Sequence, residues 1–344
     1  MNEMKALVVQ KEQAETVRLR LLELGCLDTK RKLSNKGEHL EIPITGALPL
    51  EFGSYRVVWP DDAKYYEPEL TLKGLMREHL DDDKLALLPG GWQMIGDIVV
   101  ISLHSDLYPE RKQVGDAMLK LHPHCKSVYL DRGISGKLRR PKRELVVVRD
   151  GVDDPAVTVH NENGCQFRLD VTKVMFSKGN LRERMRMSRL GKGEVVVDMF
   201  AGIGYFTIPI AVHSHPDKII GIEINPESYH YLVKNIRLNG VKGIVEPVLG
   251  DCAEMTPVLS ADRVIMGYVG NTCHYLKYGI KALKSGGILH YHDTVPVHLV
   301  PSRPTGQIRD EACKQGRLAE ILDWHRIKKY SPGVWHVVVD ARIE

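Results

Sequence analysis

No two of the six cysteines (Cys26, Cys125, Cys165, Cys252, Cys273, Cys313) stand in a C-x-x-C pair. In a chain of 344 residues that argues against a disulfide framework and a cysteine-rich zinc site. The tightest cluster of potential ligands is His122, His124 and Cys125 in "LHPHCK". Three side chains so close along the chain rarely converge on one ion, so no metal is expected. No apolar run reaches the roughly 20 residues that span a bilayer. The first residues, "MNEMKALVVQKEQAETVRLR", lack the apolar core and small-residue cleavage site of a signal peptide. A cytoplasmic protein with no membrane partner is the expectation. Low-complexity tracts and internal repeats are absent as well.

A net charge of +4 gives no global bias toward nucleic acid, but the charge is unevenly placed. Residues 126–150 carry eight Lys/Arg against three Asp/Glu, and residues 173–192 carry seven against one. Two basic stretches in a near-neutral chain fit a phosphate-contacting face, and equally a solvated helix face and a basic loop.

A length of 344 residues fits two or three domains, and 43% hydrophobic with 27% charged residues is ordinary for a globular protein. Residues 4–10 read as a strand. "KEQAETVRLRLLELG" reads as a helix with an apolar stripe of Val17, Leu21, Leu22 and Leu24, stopped by Gly25. "GEHLEIPI" returns as a strand, and residues 45–70 look like a linker. A middle region holds a helix over "TLKGLMREHL", a strand over "GDIVVISL", a helix around 108–122 and the basic loop "GISGKLRRPKRE". From about 165 strands and helices alternate, ending in two strands joined by a Ser-Pro-Gly turn. That order predicts a doubly wound, mostly parallel α/β sheet of seven strands, with one antiparallel strand at its edge. The expected divisions are 1–50, a small α/β domain; 51–164, a linker and second α/β domain; and 165–344, the catalytic domain.

The first strand of that last region leads into "DMFAGIG" (198–204). Gly202 and Gly204 permit a tight turn and close backbone approach to a ligand. Thr207 stands where a dinucleotide fingerprint needs its third glycine, and no Gly-Lys-Ser/Thr follows, which excludes an NTP phosphate loop. An ordered series of acids gives the glycines meaning. Glu223 ends the second strand, 19 residues after Gly204, where its carboxylate can accept from both ribose hydroxyls. Asp251 follows the third strand, placed to accept from an adenine amino group, and the Cys252 backbone N–H can donate to a ring nitrogen. Asp198 is expected to orient the glycine loop or bind a cofactor amino group. Ser177 and Arg184, seven residues apart, would share a helix face and hold a methionine carboxylate. The set suits an adenosine without a diphosphate.

Taken together, "FRLDVTKVMFSKGNLRERMRMSRLGKGEVVVDMFAGIGYFTIPIA" resembles a tRNA-modifying family. That family contains the guanosine-N1 methyltransferase acting beside the anticodon and its close relative in wybutosine synthesis. The resemblance covers nearly the whole chain. Residues 4–44 look like the small domain that grips the tRNA elbow in the methyltransferase branch. The methyltransferase branch carries Asn-Pro-Pro after the fourth strand and Tyr-Phe-Ser before the "ER-x-R" helix. This chain has "GYVG" at 267–270 and Met175-Phe176-Ser177. Both departures, with "GGILHYH" and "KKYSPGVWHVVVDA", resemble the archaeal tRNA wybutosine-synthesising protein 2 family.

That resemblance implies S-adenosylmethionine as co-substrate. It implies transfer of its 3-amino-3-carboxypropyl group to the tricyclic 4-demethylwyosine base 3′ of the anticodon, with release of methylthioadenosine. The implied partner is the anticodon stem-loop of tRNA-Phe, docked by Arg139, Arg140, Lys142 and Arg143, and a monomer is expected. Tyr268 and Asn271 are candidates to stack on or orient the base. His290 and His292 are further catalytic candidates; two apart on a strand, they are expected to point to opposite faces, so that at most one faces the site. Guanosine-N1 methyl transfer at the same nucleotide, alone or alongside, stays open, as does a non-catalytic tRNA-binding protein.

Overall fold

The computed structural model describes residues 4–66, 70–136, 140–177 and 179–344, which fall into two compact units, 1–71 and 72–344. In the first unit, strands Ser34–Lys36, His39–Ile44, Lys5–Gln10 and Arg56–Val58 form one antiparallel sheet in that spatial order. Helix Lys11–Glu23 covers it. Ala14, Val17 and Leu21, spaced on one helical face, pack with Leu7, Val9 and Ile42. Leu22 and Leu24, expected in the buried stripe, are exposed because they lie off that face. Gly25 ends the helix in the left-handed conformation, φ +68°.

The second unit opens with helix Leu72–Met76, shorter than the helix expected over 71–80, and a further short helix Asp82–Ala86. The Asp81 side chain caps the second of them by accepting from the Lys84 backbone N–H. Strands Gln93–Ile95, Ile98–Ile101, Ser127–Ser135 and Arg140–Val148 make a four-stranded sheet backed by helix Arg111–Leu121. Most of the described part of "GISGKLRRPKRE", expected as a loop, is the far end of a hairpin, with Ser135 opposite Arg140 and Ile134 opposite Pro141. Its basic residues alternate across a strand instead of sharing one flexible surface.

The main sheet has seven strands: β1 (Val195–Asp198), β2 (Lys218–Glu223), β3 (Val245–Leu249), β4 (Ala261–Met266), β5 (Leu283–Pro296), β6 (Ala319–Ser331) and β7 (Val334–Ile343). Their spatial order is β3-β2-β1-β4-β5-β7-β6. The first five are parallel and β7 runs against both neighbours. The reversed strand therefore lies inside the sheet, not at its edge, because the hairpin folds back between β5 and β6. Alternate residues feed two cores. Val196 and Ile265 pack with Phe206, Ile208 and Leu232 on one face; Val197, Val264 and Leu289 pack with Ile280 and Ile308 on the other. The last of these comes from helix Ser302–Lys314, which sequence periodicity did not predict.

β5 is 14 residues long, and β4 stops opposite its Tyr291. The remainder of β5, to Pro296, pairs only with β7, from Val338 back to Val334. These extended ends, with the matching end of β6, stand as a wall beyond the carboxyl edge of the parallel strands. That edge is where ligands bind in doubly wound sheets.

Candidate active site

A cavity of about 520 Å³ lies at this edge, within the ordinary size of a small-molecule site. Its floor is the strand ends and the loops after them: Met199 and Phe200 after β1, Glu223 at the end of β2, Asp251 after β3 and Gly267 after β4. Its far wall is Lys328, Lys329, Tyr330 and His336 from the hairpin.

Glu223 lines the cavity while its own carboxylate is held from behind. One oxygen accepts from the Gly202 N–H at 2.8 Å and the other from the Asn225 N–H at 2.7 Å. Burial raises its pKa above the usual carboxylate range, and these backbone donors work in the opposite direction. Gly202, at φ +60°, supplies that N–H from a left-handed turn that a side chain would strain. At Gly204 a Cβ would sit 2.4 Å from Ile208 Cγ1, so this glycine is required by the close approach of the turn to the helix Thr207–His213 that follows it. Neither glycine is on the cavity surface; both shape the turn that aims Glu223.

Asp198 is fully buried, and accepts from Thr207 Oγ1 at 2.8 Å and from the Phe200 N–H at 3.2 Å. Burial raises its pKa to about 6. Of the two roles expected for it, the geometry provides orientation of the glycine loop. Asp251 lines the cavity and caps the short helix Cys252–Met255 by accepting from Ala253 N–H at 2.9 Å. The Cys252 thiol is buried and pushed up to about 12, so it remains a neutral wall group.

Ser177 and Arg184 do not share a helix face. The helix runs Leu181–Met187, and Ser177 lies in the chain before it. Arg184 is buried and forms a two-pronged pair with Glu162, both contacts 2.6 Å, with a third bond to the Ser177 carbonyl. A guanidinium so committed anchors this helix to strand Val157–Glu162. The Ser177 hydroxyl instead faces Lys328 Nζ, 3.0 Å away.

The loop after β4 is built on aromatic contacts. A Cβ on Gly267 would come within 2.7 Å of the Phe206 ring, so only glycine allows this approach. Gly270 sits at φ +126°, a conformation closed to proline. Between them Tyr268 stacks on Phe200, ring centroids 5.2 Å apart at 23°, and both rings line the cavity. Asn271 is exposed, outside the cavity wall, at the start of the short helix Thr272–Tyr275.

His290 and His292 do not point to opposite faces of their strand. Residues two apart on a strand point to the same side, and both are buried together beneath the site. His290 is locked between Asp340 (2.6 Å) and Arg263 (2.5 Å). Asp340 also receives Arg186, which pairs with Glu183. Neither histidine lines the cavity. His336 does; its Nε2 stands 3.1 Å from His292 Nδ1. Burial holds His292 neutral, down at about 4, and His336 lower still, at about 2. Besides His336, Phe200, Tyr205 and Lys328 are cavity residues that motif reading missed.

Of the expected tRNA contacts, Arg139 lies outside the described residues. Arg140 and Lys142 are exposed on their strand. Arg143 turns inward, donates to the Val171 carbonyl at 2.8 Å, and is pushed below its usual pKa by burial. That guanidinium has a structural partner in place of a phosphate. Among the described residues no group of three His, Cys, Asp or Glu is placed to hold a metal, and no helix is long and apolar enough to cross a membrane.

Residues 158–321 match the family model described as the TRM5/TYW2 methyltransferase domain. Residues 72–151 match the TYW2 N-terminal domain, and 6–49 the tRNA methyltransferase 5 N-terminal domain. The chain is 40% identical to the tRNA(Phe) (4-demethylwyosine(37)-C(7)) aminocarboxypropyltransferase of Methanocaldococcus jannaschii, over 74% of this chain and 98% of that protein. Its fold is similar to the crystal structure of Pyrococcus horikoshii TYW2 in complex with MeSAdo: TM-score 0.70, 36% identity, covering 79% of this chain and 97% of the other. It is also similar to Trm5b from Pyrococcus abyssi, with TM-score 0.78 and 32% identity over 99% of both chains.

Proposed function

The chain belongs to the TRM5/TYW2 family, and from that premise we propose that it transfers the 3-amino-3-carboxypropyl group of S-adenosylmethionine to the tricyclic 4-demethylwyosine base 3′ of the anticodon of tRNA-Phe. The observation that carries the choice of product is the loop at 267–270. Gly267 closes onto Phe206, and Tyr268 lies flat on Phe200, so the acceptor side of the cavity is an aromatic wall without an amide. A flat wall suits a large, already cyclised base.

The residues divide the work as follows. Glu223, aimed by the Gly202 N–H, accepts the ribose hydroxyls. Asp251 and the Cys252 N–H read the adenine, and Asp198 holds the glycine loop through Phe200 and Thr207. The co-substrate supplies a sulfonium with three carbons open to attack, and the carbon held in line with the nucleophile decides what leaves. For aminocarboxypropyl transfer the acceptor carbon bonds to Cγ, the Cγ–S bond breaks, and its electron pair departs with methylthioadenosine. Once the transfer is complete, the acceptor carbon loses its proton to solvent, which restores the aromatic ring. Tyr268 presents the base and the hairpin wall shields it from water.

Divisions at 1–50, 51–164 and 165–344, a monomeric state and a cytoplasmic location belong to the same reading. Arg140 and Lys142 are its phosphate contacts to the anticodon stem. Guanosine-N1 methyl transfer by the same protein is the second reading. It is favoured by the match of residues 6–49 and the full-length likeness to Trm5b. Chromatography of the nucleoside released in single turnover tests the first reading: methylthioadenosine supports it, and S-adenosylhomocysteine alone contradicts it.

A further inference from the structure

The adenosine half of the cavity is accounted for by Glu223 and Asp251, but the group that is transferred has had no partner. Arg184, the expected one, is spent on Glu162. Lys173 stands 3.4 Å from Glu227, in an exposed pair. Two other groups on the cavity surface match the ends of an amino acid. Lys328 Nζ and Ser177 Oγ meet at 3.0 Å, a cation and a hydroxyl side by side. Asn180 also lines the cavity, and its Oδ1 is buried without a hydrogen-bond partner. A buried acceptor left unmatched is costly, which points to a ligand donor.

We propose that Lys328 and Ser177 bind the carboxylate of the aminocarboxypropyl group, and that Asn180 Oδ1 accepts from its ammonium. This rests on the reading that the cavity takes S-adenosylmethionine. Lys328 reaches the cavity because β6 extends past the carboxyl edge, where it pairs with His336 of β7. A co-substrate gripped both at its adenosine and at its carboxylate has little freedom about the sulfonium, and the choice of reacting carbon depends on that freedom. The terminal hairpin thus supplies the part of the site that selects the transferred group.

Calorimetry on the full chain with three ligands separates the assignments. S-adenosylmethionine carries carboxylate and ammonium, decarboxylated S-adenosylmethionine carries only the ammonium, and methylthioadenosine carries neither. Lys328→Gln should weaken S-adenosylmethionine about ten- to hundredfold, as for losing a charge-assisted hydrogen bond, and leave the other two unchanged. Lys328→Arg should recover part of the loss. Asn180→Ala should weaken the first two ligands and spare methylthioadenosine. Equal weakening of all three ligands by Lys328→Gln, or weakening of none, overturns the proposal. If the unmodified protein binds none of the three, the reading of the cavity itself fails, and this assignment with it.

Discussion

Glu223 was legible before any fold was known, because an acid ending a parallel strand has one place to point. Asp198 and Asp251 were legible for the same reason, although the structure gives Asp198 a supporting position behind the cavity. His336 and Lys328 were not. They reach the cavity because β7 pairs with β5, distant in sequence, and carries β6 beside it, and no local spacing records that. His290 and His292 were legible as histidines on a strand and illegible as buried partners of Asp340 and His336. At this scale Glu223→Ala is expected to raise the S-adenosylmethionine Kd roughly ten- to hundredfold, as for about 1.5–3 kcal/mol of charged hydrogen bonding. Calorimetry reads it, and an unchanged Kd removes Glu223 from the ribose. Gly267→Ala should drive a Cβ into the Phe206 ring and cost about 1–3 kcal/mol by overpacking. Urea unfolding measures the loss, and adding Phe206→Leu should restore most of it; no recovery would mean that the ring is not the obstacle.

Elements are legible where periodicity is strong and hidden where a turn or a pairing intervenes. Helix Pro226–Leu238 follows its local signals, with Asn225 capping it by accepting from the Glu227 N–H and Pro226 in its first turn. The basic segment before residue 150 looks like a loop because Gly, Ser, Arg and Lys dominate it; its partner strand, Ser127–Ser135, supplies the order that composition hides. Strand alternation also sorts its cations. Arg140→Ala with Lys142→Ala should reduce the slope of log K against log salt for tRNA binding by about 1.4–1.8, taking 0.7–0.9 per phosphate contact. Arg143→Ala should instead lower stability, since its guanidinium holds the Val171 carbonyl. If the exposed pair leaves the slope unchanged, this hairpin does not touch phosphate.

Across the whole molecule, the same buried groups that frame the site tie stability to pH. Burial pushes His292 down to about 4 and His336 down to about 2, against about 6.5 for a free imidazole. Between those limits the unfolded chain binds protons that the folded one refuses, so stability falls as pH drops from about 6.5 toward 4. Asp198, raised to about 6, works in the opposite sense between 3.8 and 6, and offsets part of the loss. His292→Gln should therefore flatten the decline between pH 7 and pH 5 in urea unfolding; an unchanged slope would show that His292 is not held neutral. The parallel sheet and its crevice were legible from the alternation of strands and helices. The two-unit organisation and the wall raised by β5, β6 and β7 depend on strand lengths and pairings that composition does not encode.

On the proposed function the cavity presents Cγ, and not the methyl carbon, to the acceptor base. That choice is tested by incubating the protein with tRNA-Phe carrying 4-demethylwyosine and two preparations of S-adenosylmethionine, one labelled in the methyl group and one in the carboxyl carbon. Carboxyl label entering the tRNA, with methyl label recovered in methylthioadenosine, is the expected result. Methyl label in the tRNA without carboxyl label would contradict it.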